Sequence, residues 1–142
     1  MILLQCLTPK KDVQFLYTSY SLRQALEKME YHRYGTIPVL DKENGKYLYS
    51  LSEGDFLWYL KKTNLSFMDL ANIPLDEIKP SRELLPVSIN ASMKELYALA
   101  EKQNFVPILD DLGVFIGIVT RKKIMQAYTK EVEENKAQEE KR

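Results

Sequence analysis

Hydrophobic and polar positions along this chain follow one order twice. A stretch with apolar residues at helical spacing leads into a short apolar run with a central proline, then an acidic turn with glycine, a second apolar run, and a Ser or Thr that begins another helical stretch. The first proline-centred run is 36–41 and the second is 105–110, at an offset of 69 residues. Because a whole ordered pattern recurs, the sequence predicts one β-α-β-β-α unit used twice.

The elements predicted for the first copy are a short strand at 13–17, a helix from 21 to about 34, strands at 36–40 and 47–51, and a helix from 55 to about 62. A linking segment with Pro74 and Pro80 predicts turns and one short helix, and the first order of elements then repeats. The predicted boundaries are repeat 1 at 8–62, a linker at 63–84, repeat 2 at 85–129 and a polar tail at 130–142.

The repeats and the tail differ in what they can bury. A unit of about 60 residues buries too little surface to be comfortably stable by itself, so the two copies are expected to share a core. The tail contains five Glu, and its only apolar residues are Val132 and Ala137. We therefore expect a solvated helix that frays, with docking onto a partner helix as the less favoured alternative.

Composition excludes several functional classes. The 142 residues are 45% hydrophobic and 28% charged, as in ordinary globular proteins, and 20 Lys plus Arg balance 20 Asp plus Glu. Without a positive field or a basic stripe, no nucleic acid is expected as a partner. No run approaches the roughly 20 apolar residues of a membrane span, and the start lacks the basic region of a signal peptide. A cytoplasmic protein with no membrane partner is expected.

Cys6 is the only cysteine and His32 the only histidine. These counts exclude a disulfide within the chain and a zinc site of the Cys/His type, so no metal site is predicted. They also leave no convincing Ser-His-Asp or Cys-His set, and no phosphate-binding glycine loop occurs. The chain is therefore not expected to be an enzyme, and no catalytic residue is predicted.

The duplicated unit, its hydrophobic-Pro-hydrophobic-Leu-Asp centre, and the run Gly117-Ile118-Val119-Thr120-Arg121 before the last helix resemble a tandem pair of CBS domains. The resemblance covers about residues 8 to 129. It implies an α+β fold whose two repeats pack through their sheets with pseudo-two-fold symmetry. It also implies clefts between the repeats that bind adenosine-containing ligands such as AMP, ADP, ATP, S-adenosylmethionine or cyclic di-AMP. Such a ligand would be regulatory, with no cofactor required, and a homodimer and an unknown effector protein are the implied partners.

The family's nucleotide signature is a glycine, two apolar residues, a Ser or Thr, two variable positions and an Asp. By this resemblance Ser52 lies on the phosphate side and Asp55 accepts the ribose hydroxyls, and Ser50 is a further candidate ligand-binding residue. Tyr49 stands where the family has glycine. The alternative interpretation is a helix start, in which Ser52 caps the N-terminus and Asp55 favours the helix dipole. Both roles can coexist.

The second copy departs from the signature, because Thr120 matches but Lys123 stands at the ribose position. A lysine has no acceptor and cannot take the hydrogens of a ribose diol. Arg121 and two lysines crowd a helix N-terminus, which disfavours positive charge unless a phosphate binds there. Three alternatives are open for this cleft: phosphate contacts from Thr120 and Arg121 to a nucleotide whose ribose binds Asp55, a cleft without a nucleoside, and a solvated basic turn. Lys123 is included among the candidate ligand-binding residues.

The adenine of such ligands is expected beside the proline-centred strands, at Ile37, Pro38, Val106 and Pro107. The alternative is that these side chains are core residues. Proline is expected to restrict each strand to an edge-like role, which would leave backbone groups for a purine.

The leading hypothesis from the sequence is a regulatory module that binds an adenosine-containing nucleotide between its repeats and signals to a partner. The alternative is a ligand-free CBS scaffold that acts in dimerisation or protein interaction. The helix after Asp55 is apolar on most faces, including Leu57 and Trp58, which indicates either a self-association surface or deeper burial in the monomer.

Overall fold

The computed structural model describes residues 2–141, and these form two compact units. The first-repeat unit is Gln14–Leu84, and the second-repeat unit contains the described residues up to Val13 and those from Leu85 onward. The strands are β1 (Thr8–Pro9), β2 (Leu16–Tyr17), β3 (Thr36–Leu40), β4 (Tyr47–Ser52), β5 (Val87–Ser88), β6 (Phe105–Leu109) and β7 (Phe115–Thr120). The α-helices are α1 (Leu22–His32), α2 (Glu53–Thr63), α3 (Met93–Ala100) and α4 (Arg121–Glu140).

The first-repeat unit contains a three-stranded sheet with the order β2-β3-β4, in which β2 is parallel and β4 antiparallel to β3. Helix α1 begins at a capping box: Ser21 Oγ accepts the Gln24 N–H at 3.2 Å, and Gln24 Oε1 accepts the Ser21 N–H at 2.9 Å. Two 3-10 helices, Phe67–Asn72 and Leu75–Glu77, follow α2. The core of this unit is formed by Leu16, Leu22, Ala25, Met29, Ile37, Val39, Leu51, Phe56, Leu70, Leu75 and Ile78.

The second-repeat unit contains a four-stranded sheet with the order β1-β7-β6-β5. Helix α3 begins at Ser92, whose Oγ accepts the Glu95 N–H at 3.3 Å. The buried Gln103 side chain fixes the start of this repeat, because its Oε1 accepts the Leu85 N–H at 2.8 Å and its Nε2 donates to the Leu85 and Phe105 carbonyl oxygens. The core of this unit is formed by Leu3, Cys6, Leu96, Val106, Ile108, Val119, Ile124 and Ala127.

The two sheets share one strand register. β3 pairs with β4, and β6 with β7, at corresponding positions of the repeats. Each ladder shifts register just before its last pair, which is Leu40 with Tyr47 in one sheet and Leu109 with Phe115 in the other. A shared register with a shared irregularity is the structural counterpart of the repeated sequence. The predicted α+β fold with two β-α-β-β-α repeats is therefore confirmed.

Each compact unit also includes the segment that precedes the other repeat in the chain. β1 precedes β2, the first strand of the first β-α-β-β-α copy, but it pairs with β7 in the second-repeat unit. Conversely, the segment before the second repeat belongs to the first-repeat unit, where the Tyr47 hydroxyl donates to the Leu84 carbonyl oxygen at 3.2 Å. The divisions between the compact units therefore fall after Val13 and after Leu84.

Gly117 lies opposite Pro9, where β1 pairs with β7. Its φ is +155°, and a Cβ there would collide with the backbone carbonyl oxygen of Thr8 and lie 2.9 Å from Leu7 Cδ1. The corresponding residue of the first repeat is Tyr49 on β4, which is the end strand of its sheet. Glycine is therefore required in the copy whose sheet includes β1, and a large side chain is accommodated in the other copy.

The prolines occupy interior strands, since β3 and β6 each lie between two neighbours. The expectation of an edge-like role is therefore wrong for the strands as a whole. The parallel neighbours, β2 and β5, are only two residues long. β2 pairs with β3 from Val39 onward, and β5 pairs with β6 from Ile108 onward. Because Pro38 and Pro107 precede these pairs, the parallel ladders do not need the N–H that proline lacks.

Helix α4 continues through the polar tail to Glu140. The Tyr97 hydroxyl on α3 donates to Glu131 at 2.6 Å, and every described side chain after Val132 is exposed. Across residues 2–141, no helix combines the length and the apolar character needed to cross a bilayer.

Candidate ligand site beside Asp55

Ser52 and Asp55 form a capping box at the start of α2. Ser52 Oγ accepts the Asp55 N–H at 3.3 Å, and Asp55 Oδ2 accepts the Ser52 N–H at 2.8 Å. Reciprocal bonds of this kind satisfy backbone donors that a helix start otherwise leaves unpaired. The capping interpretation of the sequence therefore describes these two side chains, and it leaves a ligand role for Asp55 open.

The second oxygen of Asp55 binds the segment that leads toward the second repeat. Asp55 Oδ1 accepts the Ser81 N–H at 3.0 Å, and Asp55 is only 7% exposed. Burial raises the pKa of the Asp55 carboxyl, but hydrogen bonds from Ser52 and Ser81 outweigh burial and hold the pKa below its ordinary value. The carboxylate is therefore ionised at neutral pH.

A groove of about 720 Å³ lies beside this carboxylate. It is lined by Asp55, Trp58, Tyr59, Lys61, Lys62, Glu77, Ile78, Lys79 and Ser81. Three lysines face two carboxylates here, and Lys61 Nζ lies 5.7 Å from the centre of the Trp58 ring. A groove with this lining offers cations, an aromatic face and one buried acceptor.

The other predicted residues of the first repeat lie within the sheet or at its end and do not line this groove. Ile37, Pro38 and Ser50 are buried. Ser50 Oγ lies 2.8 Å from the Tyr47 hydroxyl, and burial raises the pKa of Tyr47 to about 12, so this hydroxyl keeps its proton. Of the first-copy residues that the sequence proposed, Asp55 is the one that lines the groove.

The corresponding residues of the second repeat all take part in bonds within their own unit. Thr120 Oγ1 accepts the Lys123 N–H at 3.3 Å as the cap of α4, and Lys123 Nζ donates to Thr8 Oγ1 at 3.1 Å. Arg121 Nε lies 2.8 Å from the Ala100 carbonyl oxygen and 3.0 Å from that of Gln103, at the end of α3. Val106 and Pro107 are buried in β6. Lys123 thus binds β1 through Thr8, and at the corresponding position of the first repeat Asp55 binds the segment around Ser81.

The sequence interpretation missed the other residues that line the groove. Trp58, Tyr59 and Lys62 follow Asp55 at positions i+3, i+4 and i+7, so they share one face of α2, and this spacing could have been noticed. Ser81 and Lys79 lie far from Asp55 in sequence, and no local pattern marks them as its neighbours.

Comparison with known proteins places this geometry in a family. The CBS domain model matches residues 6–62 and 75–130. A curated relative, the uncharacterized protein MJ1225 of Methanocaldococcus jannaschii, is 25% identical over 137 residues, which cover 88% of this chain and 49% of that protein. The chain therefore spans about half the length of this relative.

Two solved structures share the fold. The crystal structure of CbpB in complex with c-di-AMP has a TM-score of 0.82 at 22% identity and covers 97% of this chain and 91% of its own. The crystal structure of CBSX2 in complex with AMP has a TM-score of 0.68 at 23% identity, with coverages of 89% and 94%. Since the two family matches coincide with the two β-α-β-β-α copies and include both helix starts, at Ser52 and Thr120, the chain belongs to the CBS domain family.

Proposed function

We propose that this chain is a regulatory, non-catalytic module that binds an adenosine-containing nucleotide at Asp55 and signals to a partner protein. The observation that carries the proposal is an ionised, nearly buried carboxylate at the edge of a groove lined by lysines, in a chain of the CBS domain family. Two structures of the same fold are complexes with c-di-AMP and with AMP, which supports an adenosine nucleotide as the ligand class.

The chemistry of the groove fits the parts of a nucleotide. A carboxylate offers about four acceptor positions. The backbone N–H groups of Ser52 and Ser81 use one on each Asp55 oxygen, and the hydroxyls of both serines also stabilise the carboxylate. A ribose hydroxyl would therefore bind Asp55 in place of a serine hydroxyl. Lys61, Lys62 and Lys79 supply positive charge for phosphate. The face of Trp58 is suited to stacking on a base.

The asymmetry between the repeats supports ribose recognition in the first repeat. Lys123 has no acceptor, and its ammonium already donates to Thr8. Phosphate contacts from Thr120, Arg121 and Lys123 would have to coexist with the bonds that now hold α3, α4 and β1. We further propose that the chain acts as a homodimer on an effector protein, as its membership of the CBS domain family suggests.

Thermal unfolding with a panel of AMP, ADP, ATP, S-adenosylmethionine and cyclic di-AMP tests the proposal. A ligand at 100 times its Kd adds about 2.7 kcal/mol to the unfolding free energy, so at least one member should raise the Tm clearly. In Asp55→Asn the ligand-induced rise should be lost, measured against the Tm of the same variant without ligand. Circular dichroism of the variant verifies that it remains folded.

Asp69→Asn is the matched control. Asp69 Oδ2 accepts the Ser66 N–H at 3.0 Å in a similar cap of the same unit, but it does not line the groove. This variant should lose a cap and keep the ligand-induced rise. If no nucleotide raises the Tm, the ligand-free scaffold is the correct function, and turnover of any nucleotide would show an enzyme instead.

A further inference from the structure

Ser81 contacts the carboxylate of Asp55 with two groups. Its backbone N–H donates to Asp55 Oδ1 at 3.0 Å, and its hydroxyl also stabilises the carboxylate. Both residues line the groove beside Asp55, but Asp55 is only 7% exposed whereas Ser81 is an exposed residue. Ser81 therefore presents two donors to a carboxylate that has little other access to solvent.

A contact of the same kind occurs at the corresponding position of the second repeat. There Lys123 Nζ donates to Thr8 Oγ1 at 3.1 Å. Asp55 and Lys123 are each the third residue of the helix that follows the last strand of their copy. Each contacts a hydroxyl-bearing residue of the segment that precedes the other copy in the chain. The contact between Asp55 and Ser81 is therefore a recurrent feature of the two copies and not an isolated bond.

The two contacts differ in the direction of the hydrogen bond. Asp55 is the acceptor, so any other hydroxyl that donates to it competes with the Ser81 hydroxyl for a limited number of lone pairs. The backbone N–H groups of Ser52 and Ser81 already occupy one position on each Asp55 oxygen. Lys123 is the donor to Thr8 and has no acceptor to offer. Of the two contacts, the one at Asp55 therefore uses an acceptor position that a ribose hydroxyl could take.

From this geometry we propose that the Ser81 hydroxyl is a built-in competitor of the nucleotide, because it occupies on Asp55 an acceptor position that a ribose hydroxyl would otherwise take. The competition lowers the affinity of the site. The inference rests on the proposed nucleotide site at Asp55 and adds the residue that sets its affinity. Since Ser81 is exposed, its displaced hydroxyl can turn to water, while its N–H keeps the segment with Lys79 at the groove.

Ser81→Ala separates the hydroxyl from the backbone contact, because alanine keeps the N–H that binds Asp55 Oδ1. Isothermal titration calorimetry with AMP, ADP, ATP, S-adenosylmethionine and cyclic di-AMP measures the Kd of the wild type and of the variant. The Kd of the member that binds most tightly should fall at least about fivefold in Ser81→Ala, because the ligand no longer has to replace a hydrogen bond to a charged group. Ser81→Thr keeps a hydroxyl and should bind with a Kd close to that of the wild type.

Ser66→Ala is the matched control for the loss of a serine hydroxyl. Ser66 Oγ donates to Asp69 Oδ2 at 3.0 Å in the same compact unit, and neither residue lines the groove. This variant loses the same kind of bond and should keep the wild-type Kd. The Tm of each variant without ligand reports the cost of the lost bond to the fold, so a change in affinity is separated from a change in stability.

The inference is overturned if Ser81→Ala binds the nucleotide with the wild-type Kd or more weakly, or if Ser81→Thr gains affinity as the alanine variant does. Either result leaves the proposed nucleotide site intact. If no member of the panel binds the wild type or Ser81→Ala, the proposed function itself fails, and the competition fails with it. Binding that is measurable in Ser81→Ala but not in the wild type would support the competition in its strongest form.

Discussion

Replacing Gly117 with alanine tests the close pairing of β1 with β7, which distinguishes the second-repeat sheet from the first. The new Cβ would collide with the carbonyl oxygen of Thr8, which is a backbone atom and cannot rotate away. It would also lie 2.9 Å from Leu7 Cδ1 and 3.1 Å from Pro9 Cα. We expect β1 to separate from β7 or to shift along it.

The loss of unfolding free energy in Gly117→Ala is estimated from two contributions. Forcing extra atoms into a packed contact costs about 1–3 kcal/mol, and a sparsely populated backbone conformation costs about 1–3 kcal/mol for a residue with a Cβ. Because movement of β1 relieves part of the collision, the contributions do not add fully. We expect Gly117→Ala to lower the free energy of unfolding by about 2–4 kcal/mol.

Gly54→Ala is the matched control for this substitution. A Cβ at residue 54 would lie 3.6 Å from Ser52 Oγ and 3.7 Å from Trp58 Nε1, which are ordinary contacts, and the residue is in the first turn of α2. Alanine is favoured over glycine in a helix by about 0.5–1 kcal/mol, so this variant should be as stable as the wild type or more stable.

Urea denaturation followed by far-UV circular dichroism measures both variants. Trp58, the only tryptophan, lies in the first-repeat unit, so its fluorescence reports separately on the unit that does not contain Gly117. Hydrogen exchange of the peptide that contains Thr8 should become faster in Gly117→Ala. Wild-type denaturation and unchanged exchange at Thr8 in this variant would refute the close pairing of β1 with β7.

Two further substitutions probe the buried polar groups. In urea denaturation, Gln103→Ala should lower the unfolding free energy by about 2–3 kcal/mol, because it leaves buried backbone groups of Leu85 and Phe105 unpaired. The control Gln138→Ala, at an exposed residue, should change the unfolding free energy little. Equal effects of the two substitutions would contradict the role of Gln103. The folded-state pKa of Asp55 lies below the ordinary value of 3.8. The ionised carboxylate therefore contributes fully to stability above pH 3.8, and this contribution is lost as the pH falls through the folded-state pKa. Asp55→Asn should therefore weaken the acid-induced loss of unfolding free energy, and an unchanged pH profile would argue against the ionised carboxylate.

Several features of the fold could be predicted from the sequence because they rest on local chemistry. The strand at β3 has the predicted bounds, and Ser21 and Ser92 cap the helices that their apolar spacing indicated. Helix α1 ends earlier than expected, at His32, because Arg33 adopts a left-handed conformation with φ of 57°. Short-range signals of this kind do not depend on which distant segment packs against the element.

The candidate site also depends on contacts that local sequence patterns do not predict. The pair Ser52 and Asp55 was visible as a cap and as a family motif, since both are matters of spacing. That Asp55 also binds Ser81, and that Lys123 binds Thr8, depends on contacts 26 and 115 residues apart in the chain. No local pattern predicts contacts at these separations.

The sequence by itself determined the duplication, the order of the elements and the helix starts, because hydrophobic periodicity and capping act within a few residues. Only the tertiary structure decided which segment lies against which sheet. β1 joins the sheet of the second repeat, so Gly117 must be glycine there, while Tyr49 is accommodated on the end strand of the other sheet. The physical reason is that a side chain's allowed size and its free hydrogen-bonding capacity depend on the neighbour that arrives from elsewhere in the chain.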